Sequence, residues 1–449
     1  MTLQVYNTLT QSKEDFIPLQ APKVNMYVCG VTVYDYCHIG HARAYVVFDM
    51  IRRYLEHKGY AVNHIQNFTD VDDKIIKRAG QDGKQINEIT RVFIDAYYED
   101  MRALGVKDAH AYPKATENIQ GMVSMIKALI DKGHAYEVNG EVFFKVESFK
   151  GYGKLSKRKL DDQEAGSRVD VNSHKKNPHD FTLWKPSKPG EPAWDSPWGK
   201  GRPGWHIECS VMSLKEAGIE TLDIHGGGQD LIFPHHENEI AQSEAYTGKP
   251  FSKYWLHNGF VTINREKMSK SLGNFFTVRE VLKKYPPEVI RFFILSTHYR
   301  SPISYSDEQL DEAKKGLDRL YEAVYENMRD GHNDDADYLT YEAEFTKYMD
   351  DDLNSAGAIG ALFTLATVAN KNKSKKAAQL LKKLGDVLGL LQSEQKKEIL
   401  PEEIEVLIQK RQDARKNKDF KTSDLIRDEL LAKGIILKDT PQGVRWEKK

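Results

Sequence analysis

Val24-Asn25-Met26-Tyr27-Val28-Cys29-Gly30-Val31 is a short apolar run rich in β-formers, and the residues that follow it decide the fold. From His41 the apolar positions Tyr45, Val46, Val47, Met50, Ile51, Tyr54 and Leu55 recur at three- and four-residue steps. Gly59 stands where a helix stop belongs. Residues 60–68 read as a second strand, so the first 70 residues form a β-α-β unit, the building block of an α/β, Rossmann-like doubly wound parallel sheet.

Outward from this unit the pattern changes several times. Residues 85–133 are helical in pattern and close at Gly133. Between residues 116 and 200, Pro178, Pro186, Pro189, Pro192 and Pro197 cluster with Gly and Trp, which predicts an irregular insertion. Residues 219–262 return to strand and helix alternation. Beyond Asp307 the periodicities are long and helical, with an acidic stretch over 307–352 expected on a solvent-facing side of the helices.

A chain of 449 residues exceeds one ordinary core and predicts several domains. Its 40% hydrophobic and 29% charged residues exclude wholesale disorder and fibrous repeats. No apolar run is long enough to span a bilayer, and the N-terminus lacks a signal-peptide pattern, so a cytoplasmic protein without membrane contact is expected. Three cysteines (Cys29, Cys37, Cys209) cannot build a disulfide framework. The net charge is −1, but residues 371–449 carry 20 basic and 13 acidic side chains, an excess that suits nucleic-acid phosphates or a solvated lysine-rich face.

Two motifs carry phosphate chemistry. His38-Ile39-Gly40-His41 lies between the first strand and the first helix, where a helix N-terminus meets the C-terminal edge of the sheet. Two imidazoles there can donate hydrogen bonds to a polyphosphate, and Gly40 lets a nucleotide approach the backbone. Lys267-Met268-Ser269-Lys270-Ser271, about 230 residues later, supplies two lysines and small hydroxyls able to neutralise charge on a departing pyrophosphate.

Together with Tyr27-Val28-Cys29-Gly30, Thr69-Asp70-Val71-Asp72-Asp73-Lys74, Gly204-Trp205-His206-Ile207-Glu208-Cys209-Ser210, His225-Gly226-Gly227-Gly228-Gln229-Asp230 and Phe233-Pro234-His235-His236-Glu237-Asn238-Glu239, these motifs make a series running in order to about residue 310. The chain resembles the class I aminoacyl-tRNA synthetases, and within them the cysteinyl-tRNA synthetase family. The resemblance implies a ligase that joins L-cysteine to a cysteine tRNA through a cysteinyl-adenylate, using MgATP.

It also implies site residues. His38, His41, Lys267 and Lys270 are expected to act on the phosphates, with Gly30, Gly40, Gly227 and Asp230 completing the ATP site. Thr69, Trp205 and His225 are expected to contact cysteine, although Trp205 could be core and Thr69 could cap a helix starting at Asp70. Cys29, Cys209, His235 and Glu239 are expected to hold one zinc ion; two thiolates, an imidazole and a carboxylate suit zinc, and residues 235 and 239 share a helix face. His236 is the competing donor, and Cys37 reads as packing. The implied domains are a Rossmann-like first half over 1–115, a connecting insertion over 116–200, a second catalytic half over 201–250, a lysine-motif and stem-contact region over 251–310, a helical bundle over 311–395 and an anticodon-binding module over 396–449. There Trp446 either stacks on a base or packs. A monomer is expected. The alternatives are a cysteine-activating ligase with an amine-sugar acceptor, and a non-catalytic RNA-binding descendant.

Overall fold

The computed structural model describes residues 2–158, 173–263, 266–267, 275–393, 402–440 and 443–448. A hairpin of β1 (Gln4–Asn7) and β2 (Ser12–Asp15) precedes β3 (Lys23–Val28), α1 (Ile39–His57) and β4 (Ala61–Gln66). β3 and β4 pair in parallel, so the opening β-α-β unit is present as read. The sheet is completed by β9 and β10, described below, in the order β10-β9-β3-β4 with every pairing parallel. α1 packs under it so tightly that a Cβ on Gly226 would sit 2.2 Å from the Phe48 ring.

After β4 come α2 (Asp73–Asp82), capped by Asp72 rather than Thr69, and α3 (Ile86–Ala103). The helical run expected over 85–133 is broken, because Gly105 takes a positive φ and residues 110–115 lie along the edge of β4, where Gln66 and Phe68 N–H groups donate to Ala111 and Pro113 carbonyls. Helix resumes as α4 (Ile119–Asp131). The insertion is not irregular: β5 (Ala135–Val138), β6 (Glu141–Phe144), β7 (Phe181–Pro186) and β8 (Gly201–Pro203) form an antiparallel sheet over a core that includes Phe144, Leu183 and Trp184. Its strands are three to six residues long, and β7 and β8 end in Pro186 and Pro203, which hides the alternation.

α5 (Trp205–Ala217), β9 (Leu222–Gly228), α6 (Glu237–Thr247) and β10 (Ser252–Asn258) return the chain to the parallel sheet. β11 (Val261–Ile263) and β12 (Glu266–Lys267) form a short hairpin, followed by α7 (Val278–Leu282), α8 (Pro287–Leu295) and β13 (Ile303–Ser304), which pairs with β11. Then α9 (Asp307–Asp330), α10 (Leu339–Asp350), α11 (Ser355–Asn372) and α12 (Lys375–Val387) pack around Leu317, Leu320, Phe345, Leu362 and Leu381. The acidic stretch is mostly exposed, as expected, except at its end: Asp350 and Asp352 are buried where these helices join the catalytic half, Asp350 accepting from Tyr54 Oη at 2.6 Å.

These residues form one compact unit, Met1–Leu391; a second spans Gln392–Lys449 and contains α13 (Glu402–Lys416), α14 (Phe420–Ala432) and a hairpin of β14 (Ile435–Thr440) and β15 (Gly443–Lys448). Ile404, Ile426, Leu430 and Ile435 make its core, and Trp446 lies opposite Leu437 in the hairpin.

The first unit is pinned internally by Asp49 of α1. Its buried carboxylate meets Arg291 Nη2 at 2.5 Å and Arg53 Nε at 2.7 Å, and accepts the Lys107 N–H at 2.9 Å. Burial alone raises a carboxyl pKa, but Arg291 and then Arg53 outweigh it and hold Asp49 below the ordinary range. The contribution to stability is therefore full above the unfolded value of about 3.9 and is lost as pH falls through the lower folded value. Asp49→Asn, which leaves Arg291 buried without its anion, is expected to cost about 3–5 kcal/mol in urea unfolding.

Candidate active site and metal centre

The C-terminal edge of a parallel sheet is where side chains from separate elements can meet above the strand ends. Here the segment after β3 delivers Cys29 and Gly30, the segment after β4 delivers Asn67 and Thr69, and β9 delivers His225. α5 brings Trp205, His206, Glu208 and Cys209 over the same edge. Residues 232–236, kinked at Phe233 where the backbone is extended (φ −139°, ψ 132°), run into α6, and together they add His235, His236 and Glu239. Gly30 is required by crowding: a Cβ there would lie 1.6 Å from the Asn67 carbonyl oxygen.

The four expected ligands converge. Donor atoms of Cys29, Cys209, His235 and Glu239, all buried, lie within 4.8 Å of one another. The two sulfurs are 3.9 Å apart, against about 3.8 Å for two thiolates sharing tetrahedral zinc at about 2.3 Å each. His235 Nε2 is 2.9 Å from Glu239 Oε1, and Cys29 Sγ is 3.6 Å from the same oxygen. A second set, Cys29, His225, His236 and Glu239, meets the same distance limit. The two differ in their hydrogen bonds. His225 Nε2 is 2.7 Å from Glu239 Oε2, and His236 links Cys29 Sγ at 3.3 Å to His257 Nε2 at 2.8 Å.

Packing four titratable groups in a buried site sets them against each other. Cys29 is pushed up by burial and by Cys209, whereas Cys209 is pulled down to about 6, chiefly by its hydrogen bond with Cys29. Burial lowers His235, yet Glu239 and Cys209 outweigh it and raise the imidazole to about 10. Glu239 falls well below the usual carboxylate range because His225 and His235 outweigh its burial. An anionic carboxylate and a thiol inclined to ionise, both buried, form a donor set that fits a soft divalent cation.

At the neighbouring helix N-terminus, His38 and His41 stack with ring centroids 3.6 Å apart. Each ring's Nδ1 accepts the other residue's backbone N–H, at 3.2 and 3.3 Å, which completes a capping box on α1. An Nδ1 that accepts carries no proton, so both neutral rings are Nε2–H tautomers and present a donor at their far corners. Gly40 lies in the first turn of the same helix. Asp230 sits in the short Gln229–Leu231 turn after β9, and Gly227, where a Cβ would lie 2.9 Å from Leu231 and 3.0 Å from His236, keeps that loop close to the sheet.

The remaining expected residues divide. Trp205 is 40% exposed, so it is no core residue; its indole stacks on the His235 ring at 4.0 Å and walls the cluster. Thr69 is buried and donates to Glu208 Oε2 at 3.1 Å. His225 bonds Glu239 Oε2 through Nε2, and its Nδ1 is buried with no hydrogen-bond partner among the described residues. Cys37 is a buried core residue. Lys267 pairs through its backbone in β12, while Lys270 lies outside the described residues. Sequence reasoning missed the shell behind the ligands, His206, His257 and Tyr27. Tyr27 and His206 stand inside the sequence motifs, two and three residues before Cys29 and Cys209, whereas His257 left no such signal.

Residues 15–315 match the family of class I (C) tRNA synthetase catalytic domains, residues 344–392 a DALR domain, and residues 398–446 the cysteinyl-tRNA ligase anticodon binding domain. The chain is 54% identical over 467 residues to the cysteine–tRNA ligase of Geobacillus thermodenitrificans, covering 100% of this chain and 99% of that one. It is 52% identical over 465 residues to that of Clostridioides difficile, covering 99% and 100%. Among solved structures, Mycobacterium tuberculosis methionyl-tRNA synthetase in complex with methionyl-adenylate superposes with a TM-score of 0.59 at 15% identity, over 82% of this chain and 89% of that one, a likeness of fold. Among the described residues no helix is long and apolar enough to cross a membrane.

Proposed function

The chain belongs to the cysteinyl-tRNA ligase family, and we propose that its buried cluster of two thiols, an imidazole and a carboxylate is a zinc site that selects cysteine for ligation to its tRNA. As a cysteine–tRNA ligase it consumes ATP. The observation that carries the finer reading is the convergence of Cys29, Cys209, His235 and Glu239 within 4.8 Å at the C-terminal edge of the sheet. His225, bonded to the second oxygen of Glu239, is assigned to orienting that carboxylate, and His236 to orienting Cys29. When bound, zinc holds a substrate thiolate far better than a hydroxyl.

The cysteine carboxylate attacks the α-phosphorus of ATP, forming cysteinyl-adenylate and releasing pyrophosphate. A ribose hydroxyl of the terminal tRNA adenosine then attacks the adenylate carbonyl, giving cysteinyl-tRNA and AMP. His38 and His41 donate from Nε2 to the phosphates, and Lys267 and Lys270 balance the charge that builds on the leaving pyrophosphate. Gly30, Gly40 and Gly227 allow the nucleotide close to the backbone, and Asp230 anchors it. Trp205 and Thr69 hold the amino acid, with His225 as a third contact through Nδ1. The reaction thus rests on positioning and charge stabilisation. The domain boundaries set out from the sequence, a monomeric state and a cytoplasmic location belong to the same proposal. The anticodon-module assignment of 396–449 is supported by the family match to 398–446, which an amine-sugar acceptor would not require.

Cysteine-dependent exchange of pyrophosphate into ATP, with metal analysis of the purified protein, tests this reading. Serine is expected to support exchange more weakly than cysteine by more than the about 10²-fold that an apolar pocket alone achieves. Comparable rates with the two amino acids would remove the metal from the selection step.

A further inference from the structure

Arg43 lies two residues past His41 and is completely buried, yet among the described residues its three hydrogen-bond acceptors are backbone carbonyls. Nη1 donates to Phe260 O at 2.6 Å, and Nη2 donates to Tyr299 O at 3.3 Å and to Ser301 O. Burying a guanidinium on neutral acceptors is unfavourable, and burial pulls Arg43 down to about 10. Nothing in the described reaction uses it. What it grips, however, is the junction between the two nucleotide motifs. Phe260 precedes β11, the strand that leads into the lysine motif, and residues 298–301 form the turn that precedes its partner strand β13.

The same turn is held from three further directions. Gly259 donates its N–H to Tyr299 O at 2.8 Å, and a Cβ on Gly259 would lie 2.5 Å from Ser301 O, so the contact excludes any side chain there. Gln229, from the glycine-rich loop after β9, donates to Arg300 O at 3.3 Å. From the helical region, Asp352, fully buried with φ +60°, accepts from Arg300 Nε at 2.7 Å, Tyr299 Oη at 2.9 Å and the Tyr6 N–H at 2.8 Å. Arg300 also lies over the Tyr6 ring at 4.2 Å.

We infer that Arg43 and Asp352 are positioning residues for adenylate formation. By clamping the 298–301 turn, Arg43 through its carbonyls and Asp352 through its side chains, they fix the register of the lysine-bearing hairpin against the helix N-terminus that carries His38 and His41. The inference rests on the assignment of those two motifs to ATP. Neither residue touches the metal cluster or the cysteine contacts, so loosening the clamp displaces the phosphate groups and leaves amino-acid selection intact.

The test is cysteine-dependent ATP–pyrophosphate exchange by Arg43→Lys and Asp352→Asn in the full chain, with KM for ATP and for cysteine determined separately, alongside metal content and thermal melting. A misplacement of this kind costs about 10- to 100-fold. Arg43→Lys is therefore expected to lower kcat within that range and raise the KM for ATP, with the KM for cysteine and the metal per chain unchanged. Asp352→Asn should act in the same direction, and the double variant should lose less than the product of the two, because both hold one turn. Unchanged exchange, a parallel rise in both KM values, or multiplicative effects would overturn the inference. General loss of folded protein would scale kcat without separating the two KM values. Should Arg43→Lys fail to fold, Arg300→Gln, at a half-buried position, provides the same reading. Wild-type protein without cysteine-dependent exchange would defeat the assignment of the site itself, whereas active wild type with unaffected variants would defeat only the clamp.

Discussion

Cys209→Ser is expected to reduce bound metal from about one per chain to nearly none, and to lower cysteine activation by more than the roughly 10- to 100-fold that loss of an outer-shell partner costs. A hydroxyl in place of the sulfur keeps the volume but offers a hard, protonated oxygen where a soft anion is needed. The same variant separates the two donor sets. Cys209 belongs to the first, with Cys29, His235 and Glu239, and is absent from the second, which uses His225 and His236. Metal retained at wild-type stoichiometry in Cys209→Ser would place the ion on the second set. His236→Asn is the complement: with His236 behind Cys29 and bridged to His257, it should weaken metal binding by the smaller factor and leave the stoichiometry near one at saturating zinc. Thermal melting separates both results from unfolding, since Cys209 is buried beside Tyr27 and Cys29 in a small apolar cluster that a serine will loosen.

How much of this was readable before the structure depended on the distance over which each signal acts. The opening β-α-β unit was legible because its helix is apolar and buried over most of its circumference, Tyr45, Val46, Phe48, Met50, Ile51 and Tyr54 among the residues inside, and its strands are buried on both sides. The break after Ala103 was not. Leu104 and Val106 continue the apolar pattern and are buried, but they belong to a loop that then runs along β4, a tertiary pairing that leaves no local trace. Asp72 rather than Thr69 caps α2, because Thr69 is drawn into the site to meet Glu208.

The phosphate motif could be placed from sequence, since its helix cap and its chemistry rest on the same two histidines, His38 and His41. The metal centre could not be placed from spacing, because its thiols are 180 positions apart and only the sheet edge brings them together. Family likeness named those ligands; it did not reveal that His225 is spent on Glu239, or that the acidic stretch ends in two buried aspartates that fasten the helices to the catalytic half. Residues chosen for what they hold in place carry weaker motif signals than residues chosen for what they touch.

His41 allows the structural and chemical roles of one imidazole to be separated, and the effect should be large. Its Nδ1 accepts the His38 N–H at 3.3 Å and so serves the helix cap, which leaves Nε2–H as the proposed phosphate donor. Asparagine places a carbonyl oxygen near the position of Nδ1 but has nothing at Nε2; glutamine places its amide nitrogen near Nε2 but loses the acceptor at Nδ1. His41→Asn is therefore expected to keep its melting temperature and lose about 10²–10³ in kcat for pyrophosphate exchange, the usual cost of one preorganised donor. His41→Gln should do the reverse, retaining most of the exchange rate while losing about 1 kcal/mol of stability with the cap. Steady-state exchange and urea unfolding on the two variants read both quantities. If asparagine were active and glutamine inactive, the ring would be present to start the helix, and the charge on the phosphates would have to be met by the lysine motif and the backbone N–H groups of α1 alone.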